Sequence, residues 1–276
     1  MVKYKEFDIP LLFKPFISCI WVDRTSYTGD HRQKLWFPNG AVELIFNLGT
    51  AYKRSSFCKP AFNLSVSKPV LIGQMKKLVF LELTENNYVI GIRFTPTGFS
   101  AFSSVPLYEI TGQQISIETV LSNKVKFIEE QVEEANSIDK KISLVLDFLY
   151  QNLDLKKSNS LVTAAVGHIV KRNGEIKIKE LIQILNTSDK TLETKFKIYL
   201  GLNPKEFIKI CRLNHFLLKY HKNKRLSFTT LGNDSNFYDQ SHLIKEIKSI
   251  SSFAPKELLR DGSRLFDINF KSLIYN

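Results

Sequence analysis

Residues 188–207 read SDKTLETKFKIYLGLNPKEF, and residues 239–258 read DQSHLIKEIKSISSFAPKEL. The two stretches align without gaps at an offset of 51 residues. Leu192 falls on Leu243, Phe196 on Ile247, Lys197 on Lys248, and Pro204-Lys205-Glu206 on Pro255-Lys256-Glu257. Self-similarity at a fixed offset marks a copied structural unit, and two copies are too few for a solenoid. Each copy has a capping residue, an apolar pair four apart and a Pro-started continuation. That pattern is the second half of a helix-turn-helix.

Working outward, Leu161 to Arg172 has helical periodicity and stops at Asn173-Gly174. Lys179 to Leu185 forms a short helix with Leu181, Ile182 and Leu185 inward. Asn186-Thr187 makes a tight turn, since Asn tolerates left-handed backbone. Ser188 caps the next helix, Gly201 ends it, and Pro204 starts a long one with Phe207, Cys211, Leu217 and Leu218 in the core. The second unit repeats the plan with a helix over Thr229 to Ser235, a turn at Asn236-Phe237-Tyr238 and Asp239 as the cap.

The charge is lopsided in the same way. From Lys156 onward there are 22 Lys and Arg against 11 Asp and Glu, a net of +11 out of +12 for the chain. A basic half-chain carrying two helix-turn-helix units is the footprint of a DNA binder. With Leu192 and Phe196 buried, the opposite face offers Lys190, Thr191, Glu193 and Thr194 to base edges. The second unit offers Gln240, Ser241, Ile244 and Lys245. Lys197 and Lys248, with the caps Ser188 and Asp239 at the helix N-termini, suit phosphates. His242 reads as a capping or backbone-contacting residue on the second reading helix.

The front of the chain is β-rich. Ala41 to Leu48 follows Pro38-Asn39-Gly40, a hairpin signal, and Lys77–Leu83 with Tyr88–Phe94 predicts a second hairpin around Glu85-Asn86-Asn87. A barrel or sandwich closes such strands. From Ile117 to Leu153 the period becomes helical, with Val125, Ile128 and Val132 on one face and Ile142, Val145, Leu146 and Leu149 on another. These helices could pack on the β-domain or pair between subunits. Asp154 to Asn159 is the linker. The expected architecture is therefore α+β and multidomain. Residues 1–155 form a β-rich barrel- or sandwich-like effector-binding or dimerisation domain with helices, and residues 156–276 form an all-α DNA-binding domain with two helix-turn-helix units.

Residues 160–260 resemble the AraC-type DNA-binding module. The resemblance is carried by Leu192-x-x-x-Phe196-Lys197, Gly201-Leu202-Asn203-Pro204, Arg212, and Asn236-Phe237-Tyr238-Asp239-Gln240-Ser241-His242-Leu243. Asn236 and Ser252 stand where Gly is usual, and Thr194 and Lys245 replace a common Arg. The resemblance implies seven helices, two units joined by a long helix, and sequence-specific transcription regulation. Phe37-Pro38-Asn39-Gly40, Glu43 to Gly49, Gly91-Ile92-Arg93-Phe94 and Val105 to Thr111 resemble the N-terminal domains of uncharacterised regulators that precede such modules. Double-stranded DNA is the implied partner. RNA polymerase, a small-molecule effector and a homodimer are further partners that the family logic allows.

Other classes fare worse. His31 is the only histidine before His168, too few for a cupin-like metalloenzyme front domain. Cys19, Cys58 and Cys211 make neither a zinc site nor a disulfide framework, so no cofactor or metal is expected and a reducing cytoplasm is the expected location. No apolar run approaches a membrane span. A non-specific architectural DNA protein would explain the lysines but not two mixed polar reading faces.

Overall fold

The computed structural model describes residues 4–28, 32–56, 62–121, 125–222 and 240–254. Among the described residues ten strands form two sheets. The six-stranded sheet runs β1-β2-β9-β4-β7-β10 and comprises β1 (Tyr4–Phe7), β2 (Ile17–Thr25), β4 (Glu43–Asn47), β7 (Val70–Ile72), β9 (Asn87–Phe94) and β10 (Gln114–Ser116). The four-stranded sheet runs β3-β8-β5-β6 and comprises β3 (Gln33–Trp36), β5 (Tyr52–Ser56), β6 (Phe62–Val66) and β8 (Val79–Glu82). Among the described residues every strand pair is antiparallel.

The six-stranded sheet is a middle layer whose central strands β2, β4 and β9 are buried on both faces, while its edge strands β1 and β10 are half-buried to exposed. Alternate residues Ile90, Ile92 and Phe94 of β9, with Leu44 and Phe46 of β4, face one core. That core is closed by helices α1 (Val125–Glu134) and α2 (Ile138–Asn152) through Ile128, Val132, Ile142, Val145 and Leu149. Val89 and Ile45, on the opposite faces of the same strands, pack with Tyr52, Val66, Val79 and Leu81 of the second sheet. Two-sided burial explains why these strands read as near-continuous apolar runs rather than clean alternation. It also settles the apolar faces of α1 and α2, which lie in the chain's own core.

The two expected hairpins do not form. β3 pairs with β8 while β4 pairs with β7 and β9, so Asn39-Gly40 lies where the chain passes from one sheet to the other. Asn39 earns its place differently: its Oδ1 accepts from Ala41 N–H at 3.0 Å and its Nδ2 donates to Glu43 at 3.2 Å. β8 and β9 likewise belong to different sheets, and the segment around Asn86 is another crossing. Turn chemistry marks where the chain reverses; it does not state which strand lies alongside.

The expected linker contains a capped 3-10 turn, Leu155–Lys157, with Asp154 accepting from Lys156 N–H. Beyond it five of the seven expected helices lie among the described residues: α3 (Ser160–Lys171), α4 (Ile178–Ile184), α5 (Asp189–Leu200), α6 (Pro204–Lys222) and α7 (Gln240–Ser251). The expected helix over Thr229 to Ser235, its turn and the Asp239 cap lie outside the described residues. Leu192, Phe196, Leu200, Phe207 and Cys211 share one core with α3 and α4. Leu218 is only half-buried, whereas Leu213 and Phe216, which periodicity did not single out, are buried. Burial pushes the Cys211 thiol well up, and Cys19 up to about 12, so both stay protonated packing residues. No described helix is long and apolar enough to cross a membrane.

The repeat extends to the helix ends. Gly201 closes α5 at φ 86°, and 51 residues later Ser252 closes α7 at φ 65°. A residue with a Cβ is strained there, so Ser252→Gly is expected to stabilise the full chain by about 1 kcal/mol. Thermal unfolding checks this; an unchanged or lower midpoint would contradict it.

Candidate nucleic-acid interface

The first unit is α4, a left-handed turn and α5. Asn186 takes φ 46°, the conformation expected of it. Ser188 caps α5, its Oγ accepting from Thr191 N–H at 3.1 Å, and donates to Thr191 Oγ1 at 2.8 Å. Leu192 and Phe196 are fully buried. Lys190, Thr191, Glu193, Thr194 and Lys197 are all exposed, so the structure gathers them on one solvent face behind a capped N-terminus. Within that face Glu193 and Lys197 form an i,i+4 ion pair at 3.0 Å. Such an exposed pair is worth only about 0.3–0.5 kcal/mol, so an incoming phosphate can take the ammonium at little cost.

Two further lysines, Lys205 and Lys209 at the start of α6, are exposed beside α5. With Asp189 and Glu193 they line a cavity of about 330 Å³ between the first turns of α5 and α6. Asn203 and Glu206 start α6 with a reciprocal capping box: Glu206 N–H donates to Asn203 at 2.9 Å and Asn203 N–H donates to Glu206 at 2.8 Å.

In the second unit α7 exposes Ser241, Lys245 and Lys248, and Ile244 is half-buried. Gln240 is the first residue of α7; its side chain, like that of His242, lies outside the described residues, as does Asp239. Ile247 and Ile250 form the buried back of the helix. A fork ties α7 to the connecting α6: Arg212 Nε donates to one carboxylate oxygen of Glu246 at 3.1 Å and Nη2 to the other at 2.8 Å. Bidentate geometry holds orientation as well as distance. The sequence points to Arg212 through the AraC-type pattern, but Glu246 carries no signal of its own among the charges of α7.

The front domain holds a different charged centre. Glu43 and Arg93 stand directly opposite on β4 and β9 and form a buried ion pair, with the Arg93 guanidinium 5.7 Å from the Trp36 ring. Burial pulls the Arg93 guanidinium down, but the charge and hydrogen bond of Glu43 outweigh this and hold it above its usual range. Beside the pair lie Tyr52 and Arg54, and burial lowers Arg54 from its ordinary value. The inter-sheet cavity among these residues is about 20 Å³, room for a single water.

Residues 10–116 match a family model described as a domain of unknown function, DUF6597. No curated protein matches the chain. Solved structures of ToxT from Vibrio cholerae align over most of it. One covers 94% of this chain and 98% of its own, at 12% identity and a TM-score of 0.47. Another, bound to (E)-4-(8-methylnaphthalen-1-yl)but-3-enoic acid, covers 87% and 97%, at 14% identity and a TM-score of 0.44. A third, bound to an unsaturated fatty acid, covers 90% and 95%, at 11% identity and a TM-score of 0.42. Likeness at this distance carries no argument about function, which rests on the residues themselves.

Proposed function

We propose that the chain is a cytoplasmic, sequence-specific DNA-binding transcription regulator of AraC type and not an enzyme, with residues 1–155 as a regulatory front domain and residues 156–276 as the DNA-binding domain. The observation that carries this reading is the pair of helices α5 and α7. Each comes from the same repeated sequence, each buries its apolar back, and each leaves a polar face open on the strongly basic half of the chain. In the proposal Lys190, Thr191, Glu193 and Thr194 read one major-groove segment, and Gln240, Ser241, Ile244 and Lys245 read the next, about one helical turn or 34 Å away. Lys197 and Lys248 hold phosphates, and the N-termini capped by Ser188 and Asp239 approach the backbone. Double-stranded DNA is the partner, and RNA polymerase is a second partner in this role. A small-molecule effector in the inter-sheet space would have to part the two sheets, because the cavity there is water-sized. A homodimer would use a surface other than the apolar faces of α1 and α2, which the chain's own core occupies.

The phosphate role is tested by salt titration. Lys197→Ala is expected to weaken binding to all duplexes alike and to lower the magnitude of the salt slope by about 1. Equal slopes for parent and variant would remove Lys197 from the backbone contacts.

A further inference from the structure

A short segment of the front domain holds both reading units. Gly73 to Leu78 joins β7 to β8 and so crosses from one sheet to the other. Its own path is pinned by Gly73 N–H donating to Gln113 O at 3.0 Å and Gly112 N–H donating to Gln74 O at 2.9 Å. Gln74 is wholly buried where α5 ends, close to Gly201. Nearby, Thr111 Oγ1 donates to Gly201 O at 2.8 Å. Lys76 pairs with Glu206 at 2.9 Å, on the same carboxylate that closes the α6 capping box.

The next two residues engage the other unit. Lys77 donates to Ser249 O, and Leu78 N–H donates to Ile250 O at 2.9 Å, both at the C-terminal end of α7. The Leu78 side chain is fully buried in one cluster with Phe37, Leu213, Phe216, Ile247 and Ile250. Part of the core under α7 therefore comes from the β-domain. These contacts use the helix ends and backs, while Lys190, Thr194, Ser241 and Lys245 stay exposed. The docked state leaves the reading faces open.

We infer that Gln74–Leu78, with Thr111, is a gauge that sets the separation and orientation of the two reading helices, so that half-site spacing is fixed by the front domain and not by α6 and the Arg212–Glu246 fork alone. This rests on the proposed DNA-reading role, but the placement of the helices can be measured without DNA.

The test uses the full chain with Cys58→Ser and nitroxide labels at Thr194→Cys and Lys245→Cys, and reads the distance distribution by pulsed electron spin resonance. The parent is expected to give one narrow distribution. Leu78→Ala with Thr111→Val is expected to broaden it about twofold, because a connection through α6 alone leaves a hinge. Leu78→Met with Thr111→Ser is expected to restore it. Should the first pair fail to fold, Lys76→Ala with Lys77→Ala is read in its place. Distributions as narrow as the parent's in the variants would overturn the gauge.

In a second arm, unlabelled proteins are titrated on duplexes whose two half-motifs are moved apart one base pair at a time. The parent is expected to lose about tenfold in affinity on the first step, a loss comparable to one mismatched position, and the loosened variant clearly less. Identical spacing profiles would also overturn the gauge. A parent that selects no motif sinks the DNA-reading proposal, while the label distances still decide whether the segment holds the two helices.

Discussion

Glu43→Ala is expected to remove about 3–5 kcal/mol from the stability of the chain. Both members of the Glu43–Arg93 pair are 4% exposed, so truncating the carboxylate strands a guanidinium between two sheets. Arg54 loses a compensating charge at the same time. The cost comes from the uncompensated cation rather than from the worth of the pair. Among the described residues Arg93 Nη1 has no hydrogen-bond partner, so the pair repays its desolvation incompletely. Replacing both ends, Glu43→Met with Arg93→Leu, is accordingly expected to recover most of the loss. Urea unfolding of the three proteins checks this. A Glu43→Ala loss under about 1 kcal/mol would mean that water reaches the pair and that the inter-sheet space is open.

Gly201→Ser is the second large effect, and its sign is opposite to that of Ser252→Gly because the substitution runs the other way at a repeat-equivalent left-handed position. At φ 86° a serine costs about 1–3 kcal/mol in backbone strain. A Cβ there would also stand 2.4 Å from Thr111 Oγ1 and 2.8 Å from Leu107 O, closer than real contacts allow. The helix end and the seat on the front domain fail together. A lower unfolding midpoint with faster hydrogen exchange at residues 107–111 is the expected result. An unaltered midpoint would show that α5 can shift off its seat without loss.

The C-terminal elements were legible because their signals are local. Ser188, Asn186 and Gly201 each dictate the backbone within a turn of themselves, and each is found in the expected role. The spacing of Leu192 and Phe196 identified the buried face directly. The front domain was legible as strands and helices but not as pairings. Asn39-Gly40 and Asn86-Asn87 are turn formers in any setting, and whether the next strand returns alongside or crosses to another sheet depends on residues far away in sequence. The same reason hid Glu246 beside Arg212 and the contacts from Gln74 to Leu78. A contact built from Phe37, Leu78, Phe80 and a few polar atoms scattered over three stretches of the chain has no period and no motif.

Selection of bound duplexes from randomised DNA by the full chain, sequenced and repeated with Thr194→Ala and Gln240→Ala, tests the two reading helices most directly. Two unlike half-motifs centred about 10–10.5 base pairs apart are expected. Each variant should change preference at a single position, in a different half, by roughly 1–3 kcal/mol. No enriched motif, or a motif that both variants leave unchanged, would contradict the assignment of α5 and α7 as reading helices.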